Sequence, residues 1–204
     1  MITVSSNEAT TALVALLHER ALIRRAGDAE IRNGLHTLFA QQGLSTLRLA
    51  DTRTDGGWGN SAGSGVGHLQ MTAWDTLRLL WRLQDEPAPW LAPDATALLP
   101  PACRTRVMGW LADQQLNQVL SSGSLTRLPG WQAGIGGRFA HKTGTTESYA
   151  SDAGRVELPG GGYFLIALLS SLGSCSAPHP EAACDWNVPR LGAAVERWVR
   201  ANAG

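Results

Sequence analysis

Lysine is almost absent from this sequence: of its 17 basic side chains only Lys142 is a lysine, and the others are arginines. There is also no surplus of charge, because 17 acidic residues balance the basic ones. A nucleic-acid-binding protein usually carries a basic surplus, so no nucleic-acid partner is predicted. The longest apolar run, at 163–169, is far shorter than the roughly 20 residues of a membrane-spanning helix. Since the cations here are otherwise arginines, Lys142 is a candidate functional residue.

Cysteine is scarce as well, with three residues at 103, 175 and 184. They form no C-x₂-C pair and lie in no histidine cluster, so no zinc or other metal site is predicted. Cys175 and Cys184 flank a turn-rich loop, and the sequence leaves open whether they form a disulfide or stay separate thiols. The first residues lack the charged and then apolar pattern of a signal peptide. With 44% hydrophobic and 17% charged residues, the chain is predicted to be globular.

Helical patterns dominate the first part of the chain and strand patterns the later part. Apolar residues recur at spacings of three and four in several segments, and Ser5 or Ser6 is suited to cap the first of them. Helices are predicted over 6–23, 28–42, 72–83, 101–119 and 188–201, and strands over 138–144, 148–158 and 163–170. The layout predicts an α+β fold in which helices flank an antiparallel sheet. We expect a mainly helical lobe at 1–130, with a Gly-rich loop at 50–68, and a sheet lobe with a closing helix at 131–204.

Two short motifs carry chemistry. His141-Lys142-Thr143-Gly144 ends a predicted strand, and its glycine lets a ligand approach the backbone closely. Ser5-Ser6-Asn7 precedes the first helix. Taken alone, the first motif also fits a surface lysine among ordinary strand threonines, and the second fits a simple helix cap. Together, and in this order, they match the K-T-G and S-x-N elements of penicillin-recognising serine enzymes.

The sequence therefore resembles a class A β-lactamase or a related penicillin-binding-type serine hydrolase, from the S-x-N element to the C-terminus. The resemblance implies a β-lactamase/transpeptidase-like fold. It implies β-lactam or D-Ala-D-Ala-type peptide substrates that form an acyl-enzyme, without metal or organic cofactor. A full-length protein with a leader peptide would be periplasmic or secreted.

The resemblance also implies roles for six residues. Lys142 would be catalytic as a cation beside the nucleophile and the substrate carboxylate, and Ser5 would be catalytic as a proton relay to the leaving nitrogen. Asn7 would bind the acyl side-chain amide. The hydroxyls of Thr143 and Thr145 would bind the carboxylate. The backbone N–H of Thr145 would form half of an oxyanion hole, and Gly144 would let the ligand approach the backbone.

Two family elements are missing. No serine has a lysine three residues later, and the residue three before Lys142 is Phe139, so the S-x-x-K nucleophile is absent. We expect an upstream segment to carry it together with the first strands of the sheet. The Glu-x-x-Leu-Asn element that supplies the deacylating carboxylate is absent from 49–58, where Asp51 and Asp55 are the nearest substitutes. Their shorter side chains favour a penicillin-binding or slowly hydrolysing protein.

Two alternatives stay open. A chain with part of a catalytic site is also what an inactive fragment or a binding relic of the fold would show. In addition, residues 59–63 match G-x-S-x-G, the nucleophile elbow of α/β hydrolases, with Ser61 as nucleophile and Asp75 and His141 in the expected chain order. That elbow needs a buried strand before it and a helix after it, and the glycine-rich flanks predict neither. The oligomeric state is not predicted.

Overall fold

The computed structural model describes residues 1–57, 69–84, 86–92, 95, 97–117, 119–121, 134–145, 150–170 and 183–202. Contacts divide the chain into two compact units. Unit 1 is Met1 with Ser6–Leu99, and unit 2 is Ile2–Ser5 with Pro100–Gly204. These units differ from the predicted lobes because the helix at 101–112 packs against the sheet and so belongs with it. The G-x-S-x-G segment and Cys175 lie outside the described residues.

In its described part, unit 1 contains three helices and two small antiparallel sheets. The helices are α1 (Asn7–Glu19), α2 (Gly34–Gln41) and α3 (Ala73–Arg82), and the paired strands are β1 (Ile23–Ala26), β2 (Ala29–Asn33), β3 (Arg48–Leu49) and β4 (Leu69–Gln70). Each helix begins at a polar side chain that accepts a bond from a free backbone N–H of the first turn. These caps are Ser6, Asn33 and Thr72. The predicted helix at 72–83 is thereby confirmed to within one residue at each end.

The prediction of a single helix over 28–42 was wrong in its first third. β1 and β2 form a hairpin there, and its turn contains Gly27 at φ +58°, a conformation that costs glycine little. The side chain of Asn33 then accepts a bond from Leu35 N at 3.1 Å, which starts α2 only after the hairpin has closed. The first helix likewise ends at Glu19, short of its predicted end at 23, because Ile23 joins the hairpin.

Unit 2 contains the larger sheet. Its elements are α4 (Pro101–Ala112), β5 (Phe139–Thr145), β6 (Ala150–Glu157), β7 (Tyr163–Ser170) and α5 (Ala183–Asn202). The strands lie in the order β5-β6-β7, and each neighbouring pair is antiparallel. The three predicted strands and the α+β class are confirmed. α4 ends earlier than predicted and α5 begins earlier.

One face of this sheet forms the core of unit 2. Alternate residues of β5 and β6 point into it, as the pleat requires, and seven buried apolar side chains form one cluster. They are Phe139, Ala150 and Val156 from the strands, with Val119, Leu120, Ile135 and Val188. Lys142 is one step out of phase with these inward positions, so the same alternation directs it to the opposite face. None of the described helices combines the length and the hydropathy needed to cross a membrane.

Candidate active site

Ser5 and Lys142 meet within unit 2, although 137 positions separate them in the sequence. The Nζ of Lys142, midway along β5, donates a hydrogen bond to Ser5 Oγ at 2.7 Å and another to the carbonyl of Thr143. Both side chains are only partly buried, so the pair remains open to a ligand. The structure thus brings together the two residues predicted to be catalytic.

Burial lowers the pKa of Lys142 below its ordinary value of 10.5, because a charged ammonium loses hydration as it leaves water. The carboxylate of Asp152 acts in the opposite direction and raises that pKa. Burial is the larger effect. The lysine therefore gives up a proton more readily than a lysine on the surface does, while Asp152 limits the change.

The two serines of the S-x-N motif do different work. Ser6 is the cap of α1, where its Oγ accepts a hydrogen bond from Ala9 N at 3.1 Å. Ser5 does not cap the helix. Its backbone has φ +52°, in the left-handed region that residues with a side chain rarely adopt. Such a conformation costs about 1–3 kcal/mol and persists only where surrounding contacts hold it, which is common at functional sites.

A buried histidine–aspartate pair lies on the other face of β5. His141 Nδ1 is 2.7 Å from Oδ1 of Asp152, and Nε2 is 2.9 Å from Oδ1 of Asn117. The second carboxylate oxygen of Asp152 accepts a bond from Leu120 N at 3.0 Å. The ring of Phe139 stacks on the imidazole with 4.1 Å between centroids. Every polar end of this network has a partner, as burial requires.

This network contradicts the triad proposed around Ser61. The carboxylate beside His141 is that of Asp152, and the second ring nitrogen faces Asn117, so the imidazole has no place for Asp75. Asp75 is itself buried in unit 1, where its Oδ2 accepts bonds from the backbone N and the hydroxyl of Thr46 at 2.7 and 2.6 Å. Asp75 is therefore a structural residue of unit 1.

Sequence reasoning missed Asp152, Asn117 and the partner role of His141. The available signal was a polar residue at an inward-facing strand position, because such a group needs a partner. The register supplies that partner by pairing β5 with β6 so that Asp152 lies beside the histidine. The two residues are 11 positions apart on neighbouring strands, and the periodicity within each strand does not fix how the strands align, so local patterns did not reveal the pair.

The predicted substrate-binding residues fall at several places. Gly144 and Thr145 are exposed at the end of β5, and a Cβ added to Gly144 would meet no atom within 4 Å, so the backbone there is open to a ligand. Thr143 is buried on the face that holds His141. Asn7 is the exposed first residue of α1 in unit 1. Their substrate-binding roles remain predictions.

Of the two acidic residues considered for deacylation, Asp55 differs from a poised general base. Asp55 accepts a bond from Gly57 N at 2.9 Å and forms an ion pair with Arg53 at 3.0 Å. These contacts lower the pKa of Asp55, the backbone bond most. A carboxylate held in its charged form is a weak base for activating water. Asp51 lies in a turn at φ +54°.

No cluster of three histidine, cysteine, aspartate or glutamate side chains suited to a metal ion occurs in the part of the chain that the structure describes. Cys103, in α4, is an exposed free thiol.

Comparisons with known proteins agree with this fold. The chain is similar to the β-lactamase from Sphaerobacter thermophilus DSM 20745, with 17% identity, a TM-score of 0.59, and coverage of 99% of this chain and 59% of that one. It is also similar to PBP-A, with 18% identity, a TM-score of 0.55, and coverage of 82% of this chain and 51% of that one. Its similarity to the TLA-3 extended-spectrum β-lactamase has 16% identity, a TM-score of 0.55, and coverage of 81% of this chain and 54% of that one. Identities this low establish the fold alone. The chain spans between half and three-fifths of the length of these structures.

Among curated proteins no relative matches the chain. The model of the β-lactamase enzyme family, however, matches residues 1–184, which is most of the sequence. The matched range contains the residues of both motifs. The chain belongs to the β-lactamase enzyme family.

Proposed function

We propose that this protein is a serine hydrolase of the β-lactamase type that reacts with β-lactams or D-Ala-D-Ala-type peptides through an acyl-enzyme. The observation that carries the proposal is the 2.7 Å hydrogen bond from Lys142 Nζ to Ser5 Oγ. Family membership and fold support it. The nucleophilic serine and its S-x-x-K lysine come from a segment that this chain does not contain.

The Ser5–Lys142 contact suggests a route for the proton. An ammonium has three hydrogens and no lone pair, so it donates and the serine oxygen accepts. The hydroxyl hydrogen of Ser5 is then free to point at a substrate. The nucleophile gives its own proton to its S-x-x-K lysine as its oxygen bonds to the carbonyl carbon. When the C–N bond breaks, the leaving nitrogen takes the Ser5 proton, Ser5 takes one from Lys142, and Lys142 regains a proton from water. The lowered pKa of Lys142 favours that transfer.

The charge of Lys142 fits both substrate classes. Each carries a carboxylate, and a partly buried cation attracts it more strongly than a solvated one does, because water screens the latter. The open backbone at Gly144 and the exposed Thr145 are next along the same strand. We assign carboxylate binding and an oxyanion-hole N–H to Thr145, and amide binding to Asn7; Thr143 is buried on the opposite face of the strand, so its predicted contact with the carboxylate is left out of the proposal. Reactions with such substrates would take place in the periplasm or outside the cell.

The contacts of Asp55 favour a slow or absent deacylation step. The carboxylate of Asp55 is committed to Arg53 and Gly57 N, so it offers little basicity to a water molecule. Without an activated water, an ester between serine and substrate persists. We therefore expect penicillin-binding behaviour or slow hydrolysis. The absence of S-x-x-K favours one second candidate, an inactive fragment or binding relic of the fold.

Labelling with a fluorescent penicillin tests the proposal. The coding sequence upstream of Met1 is read first, and the protein from the longest open frame is compared with the 204-residue chain. The proposal expects an in-frame Ser-x-x-Lys, covalent label on the longer protein, and none on the shorter one. A stop codon directly upstream, or an intact longer protein that takes no label, supports the relic instead.

Matched variants of the longer protein separate the roles. Lys142→Ala should slow labelling by about 10²–10³-fold, the usual loss for one electrostatic contact to the transition state. Lys142→Arg keeps the charge but not the compact ammonium geometry, so it should recover only part of the rate. Ser61→Ala should label normally. If Ser61→Ala abolished labelling while Lys142→Ala did not, the proposed roles of Ser5 and Lys142 would be wrong.

A further inference from the structure

Ser5 and Lys142 lie on different segments, so some contact must set the distance between them. Ser5 ends the short segment Ile2–Ser5, and Lys142 is on β5. The strained φ of +52° at Ser5 also shows that this segment does not adopt its shape unaided. The residues that hold the segment therefore decide whether the Ser5 hydroxyl reaches the ammonium.

The segment at 114–117, directly after α4, holds both partners. Gln115 N donates to the carbonyl of Thr3 at 2.9 Å. The side-chain Nε2 of Gln114 donates to the carbonyl of Ile2 at 3.2 Å and to that of His141 at 3.4 Å. His141 is the residue immediately before Lys142. One amide group thus joins the serine segment to the lysine strand.

The orientation of the Gln114 amide follows from its partners. Its Oε1 accepts a hydrogen bond from Leu116 N at 3.0 Å, which requires an oxygen there. The two carbonyls on the other side require a donor, which only the NH₂ end supplies. Gln114 is buried, with 7% of its surface exposed, so water does not readily replace these bonds.

We propose that Gln114 is a positioning residue that sets the Ser5–Lys142 distance by binding the backbone of both segments at once. It touches neither reacting group, and it acts through Ile2 on one side and His141 on the other. The inference rests on the proposed function only in taking Ser5 and Lys142 as the reacting pair.

The single lysine makes a direct test possible. In the 204-residue chain labelled with [¹³C]lysine, one Cε resonance reports the titration of Lys142. The charged group that acts on it from the neighbouring strand is Asp152, which stays in place in every variant used here. If Gln114→Ala releases the Ser5 segment, water reaches the ammonium, and the titration midpoint should rise toward 10.5.

Two further variants control for general damage. Gln114→Met keeps the length and apolar volume of the side chain without its hydrogen bonds, and it should shift the midpoint in the same direction. Gln115→Ala changes the exposed neighbour of the same type, whose contact with Thr3 uses the main chain, so it should leave the midpoint unchanged. In the longer protein, misplacing Ser5 should slow penicillin labelling by about 10–100-fold in both Gln114 variants.

Each result decides the matter. An unchanged midpoint in a folded Gln114 variant overturns the proposal. So does the loss of fold in both Gln114 variants while Gln115→Ala still folds, because Gln114 would then be needed by the whole unit and not by this contact. The lysine titration uses no substrate. A shifted midpoint therefore supports the positioning role even if penicillin labelling fails and the proposed function with it.

Discussion

Gly154 lies where the sheet of unit 2 has no room for a side chain, and Gly154→Ala tests the register of β5 against β6. Gly154 pairs with His141 across β5 and β6. A Cβ at this position would lie 2.2 Å from the carbonyl oxygen of Ala140 and 2.6 Å from Cβ of His141. Carbon atoms pack best at about 3.5–4.0 Å, so both contacts are strongly repulsive. Neither the backbone oxygen nor a Cβ can rotate away, and the strands themselves must separate.

Overpacking of this kind costs about 1–3 kcal/mol of unfolding free energy. In a protein of this size each kcal/mol lowers the melting temperature by about 2–4 °C, so Gly154→Ala should melt about 2–12 °C below the wild type. Differential scanning calorimetry measures the shift. Gly144→Ala, on the adjacent strand, is the matched control, because its Cβ would meet no atom within 4 Å. The control should melt within about 1 °C of the wild type.

A Gly154→Ala protein that melts with the control would refute the register of β5 against β6. It would also remove the basis for placing Asp152 beside His141, since the same register does that. The glycine control has a second use in the longer protein. If Gly144→Ala keeps its stability but takes up penicillin more slowly, the open backbone at that position is part of the binding site.

Three other substitutions give distinct outcomes. Because burial lowers the pKa of Lys142, the folded state binds that proton less tightly than the unfolded chain does. Lys142→Met should therefore raise the free energy of unfolding at neutral pH. Thermal melts should show this gain vanish as the pH rises from the lowered pKa to 10.5. Asp152→Asn should lower the pKa of Lys142 further in the [¹³C]lysine titration, and it should lower the free energy of unfolding by about 1–3 kcal/mol. Glu157→Gln, on the same strand, is the control and should not move that pKa. The carboxylate of Glu196 accepts hydrogen bonds from the backbone N–H groups of Gly136 and Gly137, at 2.7 and 2.8 Å. In urea unfolding, Glu196→Ala should lower the free energy of unfolding by about 1–3 kcal/mol for each N–H left without its acceptor, and Glu196→Gln should restore part of this loss.

The secondary structure of unit 2 follows from local patterns better than that of unit 1. β7 is one continuous apolar run with glycines before it, and its predicted bounds match the structure. In unit 1 the segment from 28 to 42 has helical spacing of Ile31, Leu35 and Leu38, yet its first third is a strand. This third is a strand because the turn at Gly27 lets Ile23–Ala26 pair with Ala29–Asn33. Periodicity within one segment does not indicate such pairing between two segments.

The candidate site was predictable where one residue type carried the signal. Lys142 stood out because it is the only lysine, and Ser5 because the S-x-N element precedes a helix. Gln114 and Asp152 carried no such signal. Glutamine and aspartate are common, and the value of these two comes from burial and from partners that are close in space but distant in sequence. Sequence patterns therefore pointed to the two residues that the structure brings into contact but not to those that hold them.

The Ser5–Lys142 pair combines two unfavourable features that a merely structural contact would not need. The lysine loses hydration, which lowers its pKa, and the serine adopts a left-handed backbone conformation. A surface ion pair or a simple helix cap avoids both costs, and Ser6 already caps α1 without them. Strain and desolvation that stability does not require are typical of sites kept for chemistry, because selection then maintains geometry at the expense of stability. Left-handed backbone also occurs at Ala21 and Asp51, but only at Ser5 is it next to a desolvated lysine among the described residues, and this combination is the physical reason to interpret the contact as part of an active site.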